Sequence, residues 1–516
     1  MPHAQNRTEP PAQPPVLTEP TGPLTPRVTR GFAWVLSARG IAWAVKLSKF
    51  VVFAWLLLPR DLGLFSYVLL TVAAFTACTQ TGFDMALVQR KEGTERFLDT
   101  GWAVQAIRGC ALAFLLMLAA PGVAWFFGEP QVVPLLRVMA LGVAAEGFVN
   151  IGIIYFQKEL RFHKQFLYLV GAELIGLAVG VSLAYWLRSA WALVWASVSV
   201  AASHCVLSYL LHPYRPRARF DRAKAAELFR FGRWLLGSSV VVFLASYGGH
   251  AFAGKLLGTA LLGIYEMAYR LSDMAICEIA HVANAVMMPA YAKVQDDQER
   301  LGRGFLNAVE AVMALVMPLT LFIVVAAPRF VIVVLTPKWS ASIVPIQILA
   351  VAGCIRALTA TGGILFVAIG RPRLAFLTNV VAVALMFACM YPLTEALGLA
   401  GTSLSVVVGL SAGIAVWARA PALAGVAWPD LLARFRAPLL LAGLVGLGVC
   451  LGRALPVADL RLVLLCEVAG AALCGAAGLY LADRFMGNRL YSKLIASLVL
   501  RAPGGEGAAR GEGSTS

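Results

Sequence analysis

Three cations, Arg39, Lys46 and Lys49, stand in one apolar stretch near the start of the sequence, residues 33–57. Their spacing places them within roughly 80° on one face of a helix with about 3.6 residues per turn. No acid lies in the stretch to neutralise them. At mid-bilayer each cation costs about 2.5–3.5 kcal/mol, so three facing lipid would cost roughly 8–10 kcal/mol. Arg39, near one boundary, has the alternative of snorkelling to the headgroups. Lys46 and Lys49 lie too deep for that and call for a wet cavity. A cationic wall suits an anionic cargo, and phosphate or pyrophosphate is the anion expected in a membrane setting. Arg108, Arg137 and Arg356 are further candidates for the same wall.

A second cluster differs in kind. Glu266, Arg270 and Asp273 follow one another at i, i+4 and i+7, a single stripe in which Arg270 pairs with either acid. Glu278 and His281 lie further along. Such a stripe serves either as a self-neutralised packing cluster or as a proton or cation relay, with Arg270 extending the substrate-binding cations. Asp84, Glu146, Glu173, His204, His250 and Glu467 are lone ionisable groups in apolar surroundings, for which burial with a hydrogen bond is the first expectation. Asp84 and Glu173 join Glu266 and Asp273 as candidates for ion coupling. The expected energy source is a proton or sodium gradient, with no other cofactor. A phosphate-cradling glycine loop, a nucleophile elbow and metal-ligand spacing are all missing, and the nine cysteines are scattered singly. An enzyme is therefore not expected.

The elements that position these residues follow from composition. Of 516 residues, 60% are apolar and 14% charged, with a net charge of +16, against about 45–50% and about 25% in soluble domains. So many apolar side chains cannot hide behind so little polar surface. Spans of about 20 residues can be laid on fourteen apolar segments, from 33–57 to 460–482, which predicts an all-α polytopic membrane protein. Residues 1–30, rich in proline, and 485–516, which open on an amphipathic stretch, form flexible cytoplasmic tails; the first apolar run is too long and too charged for a cleaved signal. Most of the 43 Lys and Arg fall in the tails and in alternate loops, so those loops and both termini are assigned to the cytoplasm. That distribution accounts for the +16 through anionic lipid and leaves no case for a nucleic-acid partner. The longest loop, 212–231, is too short for a catalytic domain.

Residues offset by 200 resemble one another. Trp34 falls on Trp234, Leu56-Leu57 on Leu256-Leu257, and Leu62-Gly63-Leu64-Phe65 on Leu262-Gly263-Ile264-Tyr265. Further on, at an offset of 211, Pro134 matches Pro345 and Gly142 matches Gly353. The offset joins helices of equal orientation, so the repeat is parallel: an N-lobe of six helices at 31–211 and a C-lobe of six at 232–420, with helices 13 and 14 added at 421–484. Two such lobes around a midplane cavity suit alternating access.

The stretch Gly254-Lys255-Leu256-Leu257-Gly258, running on through Leu262-Gly263-Ile264-Tyr265 to Ala268-Tyr269-Arg270-Leu271, resembles the helix 7–8 signature of bacterial polysaccharide flippases, the oligosaccharide branch of the multidrug/oligosaccharidyl-lipid/polysaccharide exporter superfamily. Pro289-Ala290-Tyr291, Ala327-Pro328, Pro337-Lys338-Trp339, Gln347-Ile348-Leu349-Ala350 and Gly370-Arg371-Pro372 follow in the same order. The resemblance implies a flippase that moves undecaprenyl-pyrophosphate-linked oligosaccharide repeat units across the bacterial inner membrane for exopolysaccharide, capsule or O-antigen. It also implies that Arg39, Lys46, Lys49 and Arg270 hold the anionic cargo, and that a polymerase and co-polymerase of the same pathway are partners beside membrane lipids. Where many relatives carry an acid or amide in helix 7, this chain has Tyr247-Gly248-Gly249-His250. The competing readings are an ion-coupled exporter of small amphipathic molecules and, from another class, a membrane-embedded glycosyltransferase or polymerase.

Overall fold

In the computed structural model, residues 40–41, 44–79, 95–158, 162–217, 221, 237, 239–455 and 459–486 are described. The predicted tails, Arg39, Asp84 and most of the loop between the lobes lie outside them. Among the described residues every regular element is helical, as a chain in hydrocarbon requires if its backbone amides are to be satisfied within each segment.

Fourteen long helices run through these residues. They are α1 (44–56), α2 (Pro59–Thr79), α3 (Glu95–Phe127), α4 (Val132–Gly147), α5 (Phe162–Leu187), α6 (Ala190–Leu211), α7 (239–252), α8 (Thr259–Val294), α9 (Gln298–Phe330), α10 (Ile343–Ala368), α11 (Pro372–Leu397), α12 (Leu399–Trp417), α13 (Arg436–Ala454) and α14 (Leu460–Met486). Eleven are long and apolar enough to cross a membrane. Of the others, α1 is described from residue 44, α4 has 16 residues, and α8 carries Glu266, Arg270 and Asp273 in its first half.

Local chemistry sets the breaks. Asp61 caps α2 by accepting from the Leu58 N–H (3.0 Å) and ties it to α6 by accepting from the Ala190 N–H (3.2 Å). The apolar run 133–156 reads as one helix but stops at Gly147. There Asn150 accepts from the Gly152 N–H at 2.9 Å, while its own N–H donates to Ser208 at 2.9 Å, opening a short second helix, Ile154–Lys158. Both α7 and α9 end in π turns, Ala253–Leu257 and Val331–Leu335, followed by Gly258 (φ 86) and Thr336 (φ 97). A β-branched residue in that region is strained.

In the first lobe α2 packs on α3, α4 and α6, and α5 on α6; in the second α10 gathers α8, α9 and α12, with α11 on α12. Helices α13 and α14 pair with each other and lean on α9. The lobes meet where α2 crosses α8. Gly63 faces the Thr259 carbonyl and Gly263 the Pro59 carbonyl so closely that a Cβ on either would overlap the oxygen. Positions 63 and 263, and 59 and 259, are related by the sequence repeat, so this crossing sits on its pseudo-twofold axis. Small residues give helices that backbone-to-backbone approach.

Around the crossing, main-chain carbonyls of one lobe accept from side chains of the other. Tyr67 donates to Gly254 O and Trp339 to Ala54 O, both at 2.9 Å; Lys338 donates to Trp55 O at 2.9 Å; Trp55 donates to Val334 O, and Lys255 to Phe126 O. Glu129, held by Arg60 at 3.3 Å, accepts from Thr259. One apolar cluster running through Phe53, Leu57, Tyr67, Leu262, Tyr265 and Trp339 fills the space between these bonds. Together they seal one end of the molecule.

Gly63→Val forces α2 from α8 and should cost about 1–3 kcal/mol through overpacking, lowering the thermal unfolding midpoint of the purified protein. Gly443→Ala, on a site with open space around it, should leave that midpoint unchanged.

Candidate functional site

Beneath the seal, between the lobes, lies a cavity of about 420 Å³ whose charged lining comprises Lys46, Lys49, Glu173 and Arg270. Lys46 and Lys49 reach it from α1, as their shared face predicts. They do not stand bare: Lys49 Nζ donates to Glu173 Oε2 at 2.9 Å, and Lys46 Nζ lies 3.6 Å from Oε1 of the same carboxylate. Glu173 comes from α5. The absence of an acid within helix 1 is thus made good by a helix more than a hundred residues away, because the part-buried Lys49 calls for a counter-ion and chain distance does not limit which helix supplies it. The Lys46 side chain is 52% exposed and that of Lys49 20%, so Lys46 meets an incoming molecule first.

On the opposite wall, Arg270 pairs with Glu266 through its Nε. Glu266 is buried, and its second oxygen lies 2.9 Å from His250 Nε2 on α7. His250 is buried too, wedged between the edges of Tyr265 (5.0 Å between ring centres) and Tyr269 (4.8 Å); its Nδ1 has no hydrogen-bond partner among the described residues. Arg356 donates to the Tyr269 hydroxyl at 3.1 Å with its guanidinium 5.7 Å from the ring centre, which extends this cationic corner from α10. His250, expected from the sequence to be buried with a hydrogen bond, is so placed; what spacing missed is its partner, since Glu266 stands sixteen positions away on a different helix.

The structure brings Lys46, Lys49, Glu173 and Arg270 together around one space, with Glu266 buried behind Arg270. Arg39 and Asp84 lie outside the described residues, and for Asp273 only the backbone, within α8, is described. Arg108 turns instead to Thr79 at 3.4 Å, and Arg137 is exposed; neither lines the cavity.

Of the other lone acids, Glu467 resolves as a strut, while Glu146 is exposed. Glu467, fully buried on α14, accepts from Arg329 of α9 at 2.6 Å and Arg453 of α13 at 3.1 Å, fixing the added pair of helices to the second lobe. Glu310 takes Arg434 at 2.7 Å. Beyond the spans, Tyr214 donates to Asp99, and Asn150 donates to the Tyr214 carbonyl at 2.6 Å, pinning the segment after α6 to the first lobe. Burial, reinforced by the Asp99 carboxylate, pushes the Tyr214 phenol above its ordinary range and keeps it a donor.

A family model described as "Polysaccharide biosynthesis protein" matches residues 52–344. The lipopolysaccharide biosynthesis protein WzxC of Escherichia coli is 26% identical over 359 residues, 69% of this chain and 73% of that one. The succinoglycan biosynthesis transport protein ExoT of Rhizobium meliloti is 23% identical over 314 residues, 61% of this chain and 63% of that one. Among solved structures, the lipid II flippase MurJ in an inward closed conformation superposes with a TM-score of 0.69 at 12% identity, covering 87% of this chain and 99% of the other. These likenesses place the fold among polytopic transporters.

Removing one partner of the buried cluster should be costly. Glu266→Ala strands Arg270 and His250 and is expected to destabilise by about 3–5 kcal/mol, whereas replacing Glu266 and Arg270 together by Leu should recover most of that loss. Thermal unfolding of the single and double variants checks this; equal instability of the two would show that the pairing is not what Glu266 supplies.

Proposed function

The chain belongs to the polysaccharide biosynthesis protein family, and from that premise we propose that it is a flippase for undecaprenyl-pyrophosphate-linked oligosaccharide repeat units. The observation that carries the reading is the cationic lining of the cavity between the lobes: Lys46 and Lys49 on one wall face Arg270 on the other. Three cations against one carboxylate in the lining, with Glu266 behind Arg270, leave a net positive charge, which suits the pyrophosphate of a lipid-linked cargo. The names of the relatives, in lipopolysaccharide synthesis and succinoglycan transport, support a polysaccharide precursor, and the lipid II flippase fold supports a polyprenyl-linked one.

The sealed end carries few Lys and Arg, whereas the opposite loops are rich in them. By the positive-inside rule the seal is periplasmic and the cavity is loaded from the cytoplasm, with both termini cytoplasmic in a bacterial inner membrane. Breaking the seal while closing the other end exposes the cargo outside, which is alternating access by rocking of the two repeats. Glu266, backed by His250, is the candidate point of coupling to a proton or sodium gradient, and a polymerase with its co-polymerase is the consumer of the exported unit. An exporter of amphipathic cations needs free carboxylates in its cavity; Glu173, the carboxylate among the described lining residues, is already held by two lysines.

In a strain lacking the gene, lipid-linked repeat units should accumulate on the inner leaflet, and the wild-type chain should restore surface polysaccharide. The Lys46→Ala/Lys49→Ala variant, inserted at normal levels, should restore roughly tenfold less or worse, the effect of losing about 1.4 kcal/mol of stabilisation. Normal polysaccharide in the deletion strain, or full rescue by the variant, overturns the reading.

A further inference from the structure

Glu173 holds the two lysines in a particular way. Each ammonium has its own oxygen, Oε2 for Lys49 at 2.9 Å and Oε1 for Lys46 at 3.6 Å, so the carboxylate spans the pair much as two oxygens of a phosphate would. Its side chain is 15% exposed and belongs to the cavity lining. His204 of α6, stacked on Tyr168 at 4.8 Å, is a further ionisable group in the electrostatic surroundings of Glu173. The carboxylate on the other wall is bound differently: Glu266 is locked between Arg270 and His250 and is buried away from the cavity.

We infer that Glu173 is an internal counter-ion that the pyrophosphate of the cargo displaces from Lys46 and Lys49. This rests on the proposed flippase reading and assigns Glu173 a positioning role within it. A pyrophosphate entering the cavity meets the half-exposed Lys46 first, and it gains Lys49 only by taking over the contacts of Glu173. Each gain of a phosphate–lysine contact is set against the loss of a carboxylate–lysine contact, so binding is weaker than two bare lysines would give. That weakness has a use. When the cavity opens to the other side, Glu173 is at hand to recapture both ammonium groups and release the cargo, and the empty cavity resets without two naked cations in a space of low dielectric constant. Affinity is traded for turnover, since a site that binds its cargo more tightly than it can release it does not transport.

The test uses the purified full-length chain in detergent, with farnesyl pyrophosphate as the charged probe and farnesol as the uncharged one, and titration calorimetry as the readout. The wild type should bind the pyrophosphate more tightly than the alcohol. Glu173→Gln should tighten pyrophosphate binding roughly tenfold, or about 1.4 kcal/mol, leave farnesol unchanged, and lower polysaccharide output in the complemented strain. In a Lys46→Ala/Lys49→Ala background the same substitution should bring no gain. A strut with no exchange role predicts unchanged or weaker pyrophosphate binding in Glu173→Gln, and that result overturns the inference while leaving the flippase reading intact. If Glu173→Gln does not fold, Glu173→Asp, too short to span both lysines, replaces it; it should tighten binding by a smaller factor, and no tightening counts equally against the idea. A wild type that binds pyrophosphate no better than farnesol removes the cationic-cavity reading itself, and this inference with it.

Discussion

The contact of α2 with α8 is the constraint on which the remaining architecture depends. Gly63 and Gly263 admit a backbone-to-backbone approach that any side chain would forbid. Because the two positions are related by the internal repeat, the approach lies on the pseudo-twofold axis and both lobes are set at once. The seal, the depth of the cavity beneath it and the facing of its two cationic walls all follow from how closely these helices meet. A gap of one methyl group here would separate the aromatic donors Tyr67 and Trp339 from the carbonyls they reach across the interface.

Within the cavity the governing rule is that no buried charge stands alone. Lys46 and Lys49 share Glu173, Arg270 has Glu266, and Glu467 takes two arginines. Such pairs add little net stability over an apolar core, because desolvation offsets the Coulomb gain. Their presence therefore marks places where charge is wanted for another reason. At Glu467 the reason is attachment of α13 and α14; around the cavity it is, on the function proposed above, contact with an anion.

Sequence alone carried much of this. The apolar runs locate the helices, since a span in hydrocarbon must be long and continuous, and the offset of 200 exposes the repeat because Leu62-Gly63 and Leu262-Gly263 do the same job at the same place. Helical phase correctly turned Lys46 and Lys49 to one face. Phase is a property of a single helix, however, and the counter-ions come from elsewhere: Glu173 is 124 residues from Lys49, and Glu467 138 from Arg329. Hydropathy likewise could not see the break after Gly147, where Asn150 stops the helix through one polar side chain inside an apolar run. Pairings between helices are set by packing, and packing leaves no periodic trace in the chain.

The acceptors that close the sealed end are mostly main-chain oxygens: Ala54, Trp55, Phe126, Gly254 and Val334. A peptide carbonyl is the one acceptor that every residue type provides, so half of each bond survives any substitution at its own position short of a change in backbone path. The specific chemistry of the seal therefore rests on its few donors, Trp55, Tyr67, Lys255, Lys338 and Trp339. Being uncharged, a main-chain carbonyl also keeps its accepting lone pairs whatever the acidity of the solution at that end.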